Sequence, residues 1–362
     1  MKKLISAILF LGLGYLLYSW DRTPPTIEWS LENGSEVAEK ATLQVGASDS
    51  GRGLQSWSVV LSQQDSQAVI VEKTFEVQQA PASQTAEIKL STLKQQFGLL
   101  DGEFRIRVQV TDQPNLRFFD HTTGAERMFR LDSLPPSLRV RSGNHYIRQG
   151  GAQIILFSTG SEAPHASGVR VGDRSFRGYP VQAPEQNHYA ALIGLNHRHS
   201  PETPILVWAE DLAGNRSELS VPHQILSARF RQRRLNISDS FISKVAAEIF
   251  SRVGEVAAAP TPAETFVQIN RHLRKINHEQ IEKLTSNSQD HLLFDAPFLQ
   301  MANTQVEAAF ADERDYIYEG EVIDQQTHLG FDLASLARSP VDCANDGKVI
   351  WAGYLGIYGH CV

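Results

Sequence analysis

The sequence predicts a mainly β chain with an N-terminal transmembrane helix, two β-sandwich modules, a helical hairpin and a partial antiparallel β-sheet module. Three observations predict it. The opening Asp21-Arg22-Thr23-Pro24-Pro25 recurs as Asp132-Ser133-Leu134-Pro135-Pro136, and each copy leads into alternating apolar and polar residues. Alternation at period two is the mark of a half-buried strand. Helical spacing of apolar residues runs through about residues 239 to 276. The expected segments are 1–20, 21–131, 132–227, 228–286 and 287–362.

At 362 residues the chain exceeds one ordinary domain, since domains run to about 100 to 200 residues. Hydrophobic residues make up 41% and charged residues 21%, a globular balance. A net charge of -7 argues against nucleic acid as the main partner, because phosphate backbones are held by basic surfaces.

Lys2 and Lys3 precede a run from Leu4 to Trp20 that carries no charge. As a helix that run spans roughly 25 Å, enough to cross a bilayer core. Tyr15, Tyr18 and Trp20 suit the far interface and the two lysines the cytoplasmic side. A cleaved signal peptide is the rival, but no small-x-small site follows the run. The expectation is a single-pass inner-membrane anchor over residues 4–20, with the bulk of the chain in the periplasm of a diderm bacterium.

Each Pro-Pro blocks helix and favours an extended start. The first module closes on Phe104-Arg105-Ile106-Arg107-Val108-Gln109-Val110-Thr111-Asp112, then a turn at Gln113-Pro114-Asn115. The second closes on Ile205-Leu206-Val207-Trp208-Ala209-Glu210, then a turn through Asp211-Leu212-Ala213-Gly214-Asn215. Short strands punctuated by Gly, Pro and Asp predict β-sandwiches. The Asp-x-x-Pro-Pro start and Ala-x-Asp-Leu-Ala-Gly-Asn finish resemble the immunoglobulin-like modules of bacterial envelope proteins, over about residues 21 to 227. The resemblance implies spacers or arms that bind an envelope protein partner.

Arg229, Arg231, Arg233 and Arg234 surround Phe230. Alternation would set Arg229, Arg231 and Arg233 on one side of an extended chain, and a solvated linker is expected there rather than a lipid or wall-polymer contact. A first helix is predicted from Asp239 to Val253, with Phe241, Val245, Ile249 and Val253 inward and Gly254 as its stop. A second starts with Thr261 as N-cap, Pro262 at the first turn and Glu264 closing a capping box. Its inward face is Phe266, Ile269, Leu273 and Ile276. His272 and His278, six apart, do not share a helical face.

Beyond Phe294 strand character returns. Pro340 to Ala344 and Lys348 to Gly353, joined through Asn345-Asp346-Gly347, predict a hairpin. Tyr354 to Gly359 reads as a turn and His360-Cys361-Val362 as a strand start. Here His328-x-Gly330-x-Asp332-Leu333-Ala334, then Ser339-Pro340-Val341, Ala344-x-Asp346-Gly347-x-Val349, Ala352-Gly353 and Gly356-x-Tyr358-Gly359 resemble the lysostaphin/LytM-type zinc metallopeptidases, which cut peptide bonds in peptidoglycan. The resemblance implies Zn2+ held by His328 and Asp332, with peptidoglycan peptides as substrate. Imidazole nitrogen and carboxylate oxygen suit zinc, which lowers the pKa of a bound water and polarises the scissile carbonyl.

It also implies that the third ligand and the acid/base histidine come from a His-x-His motif beyond Val362, so this chain alone is expected to bind zinc weakly and to be inactive. Roughly 65 to 70 residues of such a module are expected to leave a sheet open and prone to aggregate. His197-Arg198-His199 lies far upstream and reads as a surface loop, and His360 as a strand residue. Cys343 and Cys361 leave two readings open, an oxidised pair or two buried free thiols. Two other functions stay in view: a catalytically silent, peptidase-like regulator, and an envelope scaffold or adhesin acting through the sandwiches.

Overall fold

A computed structural model describes residues 23–114, 121–183, 187–254, 258–289 and 291–362. The expected anchor over residues 4–20 and Asn115 of the first predicted turn lie outside them. Among the described residues no helix is long and apolar enough to cross a membrane. What is described is mainly β. Contacts divide it into two units: one holds the residues up to Ser137 with Glu162–Ala166 and Ala209–Ser217, and the other holds the rest.

In the first unit the strands are β1 (Thr26–Trp29), β2 (Glu36–Ala38), β3 (Thr42–Ser48), β4 (Leu54–Gln63), β5 (Ser66–Thr74), β6 (Ser83–Lys89), β7 (Gly102–Asp112) and β8 (Thr122–Asp132). They form a three-stranded sheet, β1-β3-β6, and a five-stranded one, β2-β8-β7-β4-β5. As the alternation predicts, β7 turns Phe104, Ile106, Val108 and Val110 inward and Arg105, Arg107 and Gln109 outward. The core holds Trp57 against Leu43, Leu54, Ile88 and Phe129. Helix α1 (Leu90–Phe97) buries Leu90 and Leu93 and ends on Gly98, whose φ of 68° is the left-handed cap conformation glycine adopts without a Cβ penalty.

The second sandwich uses β9 (Leu138–Val140), β10 (His145–Arg148), β11 (Ala152–Thr159), β12 (Ala166–Val171), β13 (Arg174–Arg177), β14 (Tyr179–Pro180), β15 (His188–Gly194), β16 (Ile205–Glu210), β17 (Arg216–Ser220) and β18 (His223–Leu226). Two four-stranded sheets result, β14-β15-β11-β9 and β13-β12-β16-β17, with β10 and β18 paired in parallel. Ile155, Phe157, Val169, Ile193 and Val207 fill the core. The turn after β16 forms as read: Asp211 accepts from Asn215 N at 2.8 Å and Asn215 Nδ2 at 3.0 Å, and Gly214 takes φ 88°.

The arginine run is not a solvated linker. Gln232–Asn236 forms β19, which pairs in parallel with β21 (Asp312–Tyr318) because Leu235 and Ile237 have an apolar cluster to join. Arg229 and Arg231 precede the strand, so the expected one-sided arginine row does not form. β20 (Gln305–Ala308) lies ahead of β21, and β22 (Glu321–His328) completes the sheet β19-β21-β22. β23 (Asp332–Ala334) returns to β20, and β24 (Gly353–Tyr354) pairs with β25 (His360–Cys361).

Helix α2 (Asp239–Phe250) buries Ile242, Ala246 and Ile249 and leaves Phe241 exposed. Ile249 is inward as predicted, with Val245 and Val253 packed beside it, and only Phe241 yields its place, to Ile242, which packs with Phe266 and Tyr316. The helix also stops short of Gly254. Helix α3 (Pro262–Val267) starts with the predicted capping box intact. A π-helical turn, Gln268–Leu273, joins it to α4 (Arg274–Thr285). That turn moves the buried position after Leu273 from Ile276 to Asn277.

The predicted hairpin from Pro340 to Gly353 is absent. Val341, Val349 and Ile350 are exposed, and a two-stranded ribbon with no covering layer is marginal in water. The segment is held instead by Leu299 N donating to Ala344 O and Asn345 Nδ2 donating to Ala296 O. His360 is a strand residue, as read. Both cysteines are free thiols, with Cys343 exposed and Cys361 half-buried, so they are neither an oxidised nor a fully buried pair.

Candidate functional site

The β21-β22 hairpin sets the site. Its register pairs Asp312 with His328, Arg314 with Gln326 and Tyr316 with Asp324, so alternate residues of both strands share one face. His328 ends β22, the chain leaves the sheet for three residues, and Asp332 opens β23 opposite Ala308. That loop brings the two predicted ligands back together: His328 Nε2 lies 3.2 Å from Asp332 Oδ1. The approach is close but not aligned as a hydrogen bond, and Nε2 is buried without a hydrogen-bond partner. Arg314 Nη2 donates to the other oxygen, Asp332 Oδ2, at 3.1 Å.

Burial, and next the Arg314 guanidinium, push the His328 imidazole below its ordinary value, against the opposing pull of Asp332 and Asp312. The ring is therefore neutral at pH 7, the form that binds a metal. Two donors on one tetrahedral zinc at about 2.0 to 2.2 Å stand roughly 3.3 Å apart, so the orphaned Nε2 and Oδ1 fit two positions of such a site. A third is not supplied: among the described residues no group of three His, Cys, Asp or Glu is arranged to hold a metal ion.

His328 and Asp332 line a cleft of about 1050 Å3 together with His197, Arg198, Arg274 and Arg314. Sequence reasoning missed the last four. Arg314 shows no signal beyond strand alternation. His197, read as a surface-loop residue, turns its ring edge-on to Phe230 and Phe310 at 6.0 and 6.4 Å, and its Nε2 is buried without a hydrogen-bond partner. Burial, then Arg198, lowers its pKa. His199 instead accepts from Asn196 N at 3.2 Å within its own turn and does not line the cleft with His197.

The helices reach the cleft through a buried carboxylate. Asp324, 2% exposed, accepts from Asn270 Nδ2 at 2.7 Å, Arg271 Nε at 2.6 Å and Gln326 Nε2 at 3.2 Å. Arg274 then donates to Asn270 O at 3.1 Å and Asn270 Oδ1 at 2.7 Å. The helical hairpin thus delivers a guanidinium to the cleft. Asn277 accepts from Ile357 N at 3.0 Å, and Tyr358 OH stands 3.4 Å from His278 Nδ1 at the same rim.

No family model matches the chain, and no curated protein matches it. Solved structures that align with it include Dpr2 Ig1-Ig2 in complex with DIP-Theta Ig1-Ig3, at 9% identity and TM-score 0.27 over 57% of this chain and 100% of that one. An I-band fragment of titin aligns at 11% identity and TM-score 0.27, covering 60% and 72%. Murine CEACAM1b aligns at 17% and 0.25, covering 56% and 100%. At these scores the likeness carries no argument, and the sandwich assignment rests on strand order and core packing.

Proposed function

We propose that the C-terminal segment belongs to a lysostaphin/LytM-type zinc metallopeptidase module and that the protein serves to cleave peptide cross-links of peptidoglycan. One observation carries the reading: the close approach of His328 Nε2 and Asp332 Oδ1 at the wall of a cleft of about 1050 Å3. Zinc bound there would polarise a scissile carbonyl and supply a hydroxide near neutral pH. His328 offers a neutral nitrogen, Asp332 one oxygen, and Arg314 holds the carboxylate in place through the other. The sandwiches would act as spacers or as arms for an envelope protein partner, and residues 4–20 would anchor the chain in the inner membrane.

The test is zinc titration of the purified chain against a chromogenic chelator. Wild type is expected to take up one zinc weakly, and His328→Ala and Asp332→Asn to abolish that uptake. Uptake unchanged in both variants would sink the reading. A second reading has an observation of its own: Arg314 already sits on Asp332 as a resident cation, as in a silent module that binds a partner rather than a metal. On that reading wild type takes up no zinc, and Arg314→Gln restores none.

A further inference from the structure

The carboxylates and guanidiniums of the cleft are not equally engaged. Each acid has a partner: Asp332 accepts from Arg314, Asp315 from Gln325 Nε2 at 2.8 Å, and Glu313 from Gln232 Nε2 at 3.1 Å. Among the described residues, Arg198 and Arg274 are paired with no carboxylate; Arg198 is positioned only through its backbone N, which donates to Asn196 Oδ1 at 2.9 Å. Arg274 is the better organised. Its Nε and Nη2 are held by Asn270, which is 5% exposed and itself fixed by Asp324. The remaining N–H groups are left at the cleft wall in a set orientation, and a pre-oriented guanidinium is matched to a carboxylate.

We propose that Arg274, assisted by Arg198, binds a carboxylate of the peptide in this cleft and so selects acidic stem peptides over neutral ones; this rests on the peptidase reading above and names what its substrate must carry. Arg274 is a specificity-determining residue, separate from the metal pair. The π-helical turn supplies the geometry, because it points Asn270 at Asp324 and starts α4 with Arg274 beside it.

The experiment is calorimetric titration of the full chain with a peptidoglycan stem tetrapeptide bearing free carboxylates, and with the same peptide amidated at every carboxylate, in zinc and in chelator. Wild type is expected to bind the acid about tenfold more tightly than the amide, the scale of one charge-assisted contact. Arg274→Gln should bring the acid down to the level of the amide and leave the amide unchanged, with Arg274→Lys between. Discrimination that persists in chelator supports the guanidinium site even where zinc uptake fails. Equal binding of acid and amide by wild type, no binding of either, or equal weakening of both by Arg274→Gln overturns it, and zinc uptake is then judged on its own isotherm.

Discussion

Burial decides the protonation state of several histidines in this chain, and His145 is the one whose consequence is easiest to read in stability. It is 5% exposed, with Ser142 Oγ 2.8 Å from its Nε2. Burial, and then His223, lowers its pKa from the ordinary 6.5. The folded state therefore binds the proton less well than the unfolded state, so stability rises with pH between the two values. Its contribution is complete above the unfolded value and is lost as pH falls below it. Denaturation at about pH 7.5 and about pH 5.5 should show the loss, and His145→Gln should flatten it; an unchanged slope in the variant would refute the assignment. Thiol reactivity gives a second prediction at this scale. Cys343 is exposed, whereas burial raises the Cys361 thiol, so maleimide should label Cys343 first at neutral pH, read by mass spectrometry. Labelling in the reverse order would contradict it.

Elements show where local chemistry suffices. The capping box at Thr261 needs only a Thr and, three residues on, a Glu, and it forms as read. Thr261→Ala should cost about 1 kcal/mol, measured by chemical denaturation. Asp324→Ala is different in kind, since it strands the buried amide of Asn270. It should cost about 1 to 3 kcal/mol from that amide alone, the half-exposed Arg271 adding little. It should also loosen Arg274, so peptide discrimination falls with stability; a variant that loses neither would break the proposed chain of contacts. Gly356 belongs here too. Its φ is 43° and a Cβ would stand 2.3 Å from Asn277 Oδ1, so Gly356→Ala should detach the Tyr358 turn from α4. Increased amide exchange at Ile357 would report it.

Across the whole molecule the apolar residues gather into separate clusters, the largest around Trp57 in the first sandwich and around Phe157 in the second. Trp57→Ala should therefore destabilise the first by about 3 to 5 kcal/mol. Hydrogen-exchange protection in β11 and β15 should stay near wild type, and a uniform loss of protection would show that the two cores unfold together.

The sandwiches, the Asp211 turn and the capping box were legible in the residues, because each rests on periodicity or turn chemistry; the candidate pair His328 and Asp332 was named through the family resemblance, since a His and an Asp four apart carry little signal by themselves. The failures share one cause, which is that the outcome depended on what tertiary packing did or did not supply. The arginine run became β19 because β21, some 80 positions on, offered an edge. On α2, Phe241 gave its inward place to Ile242 because Phe266 and Tyr316 were there to receive it. The hairpin after Pro340 had the right turn residues and no layer to bury it. By itself the sequence determined which residue types could bind a metal. Only the tertiary structure decided that their donors meet, that Arg314 shares Asp332, and that a helix 50 residues upstream carries Arg274 to the same cleft, because these contacts depend on packing between strands and helices that no local pattern encodes.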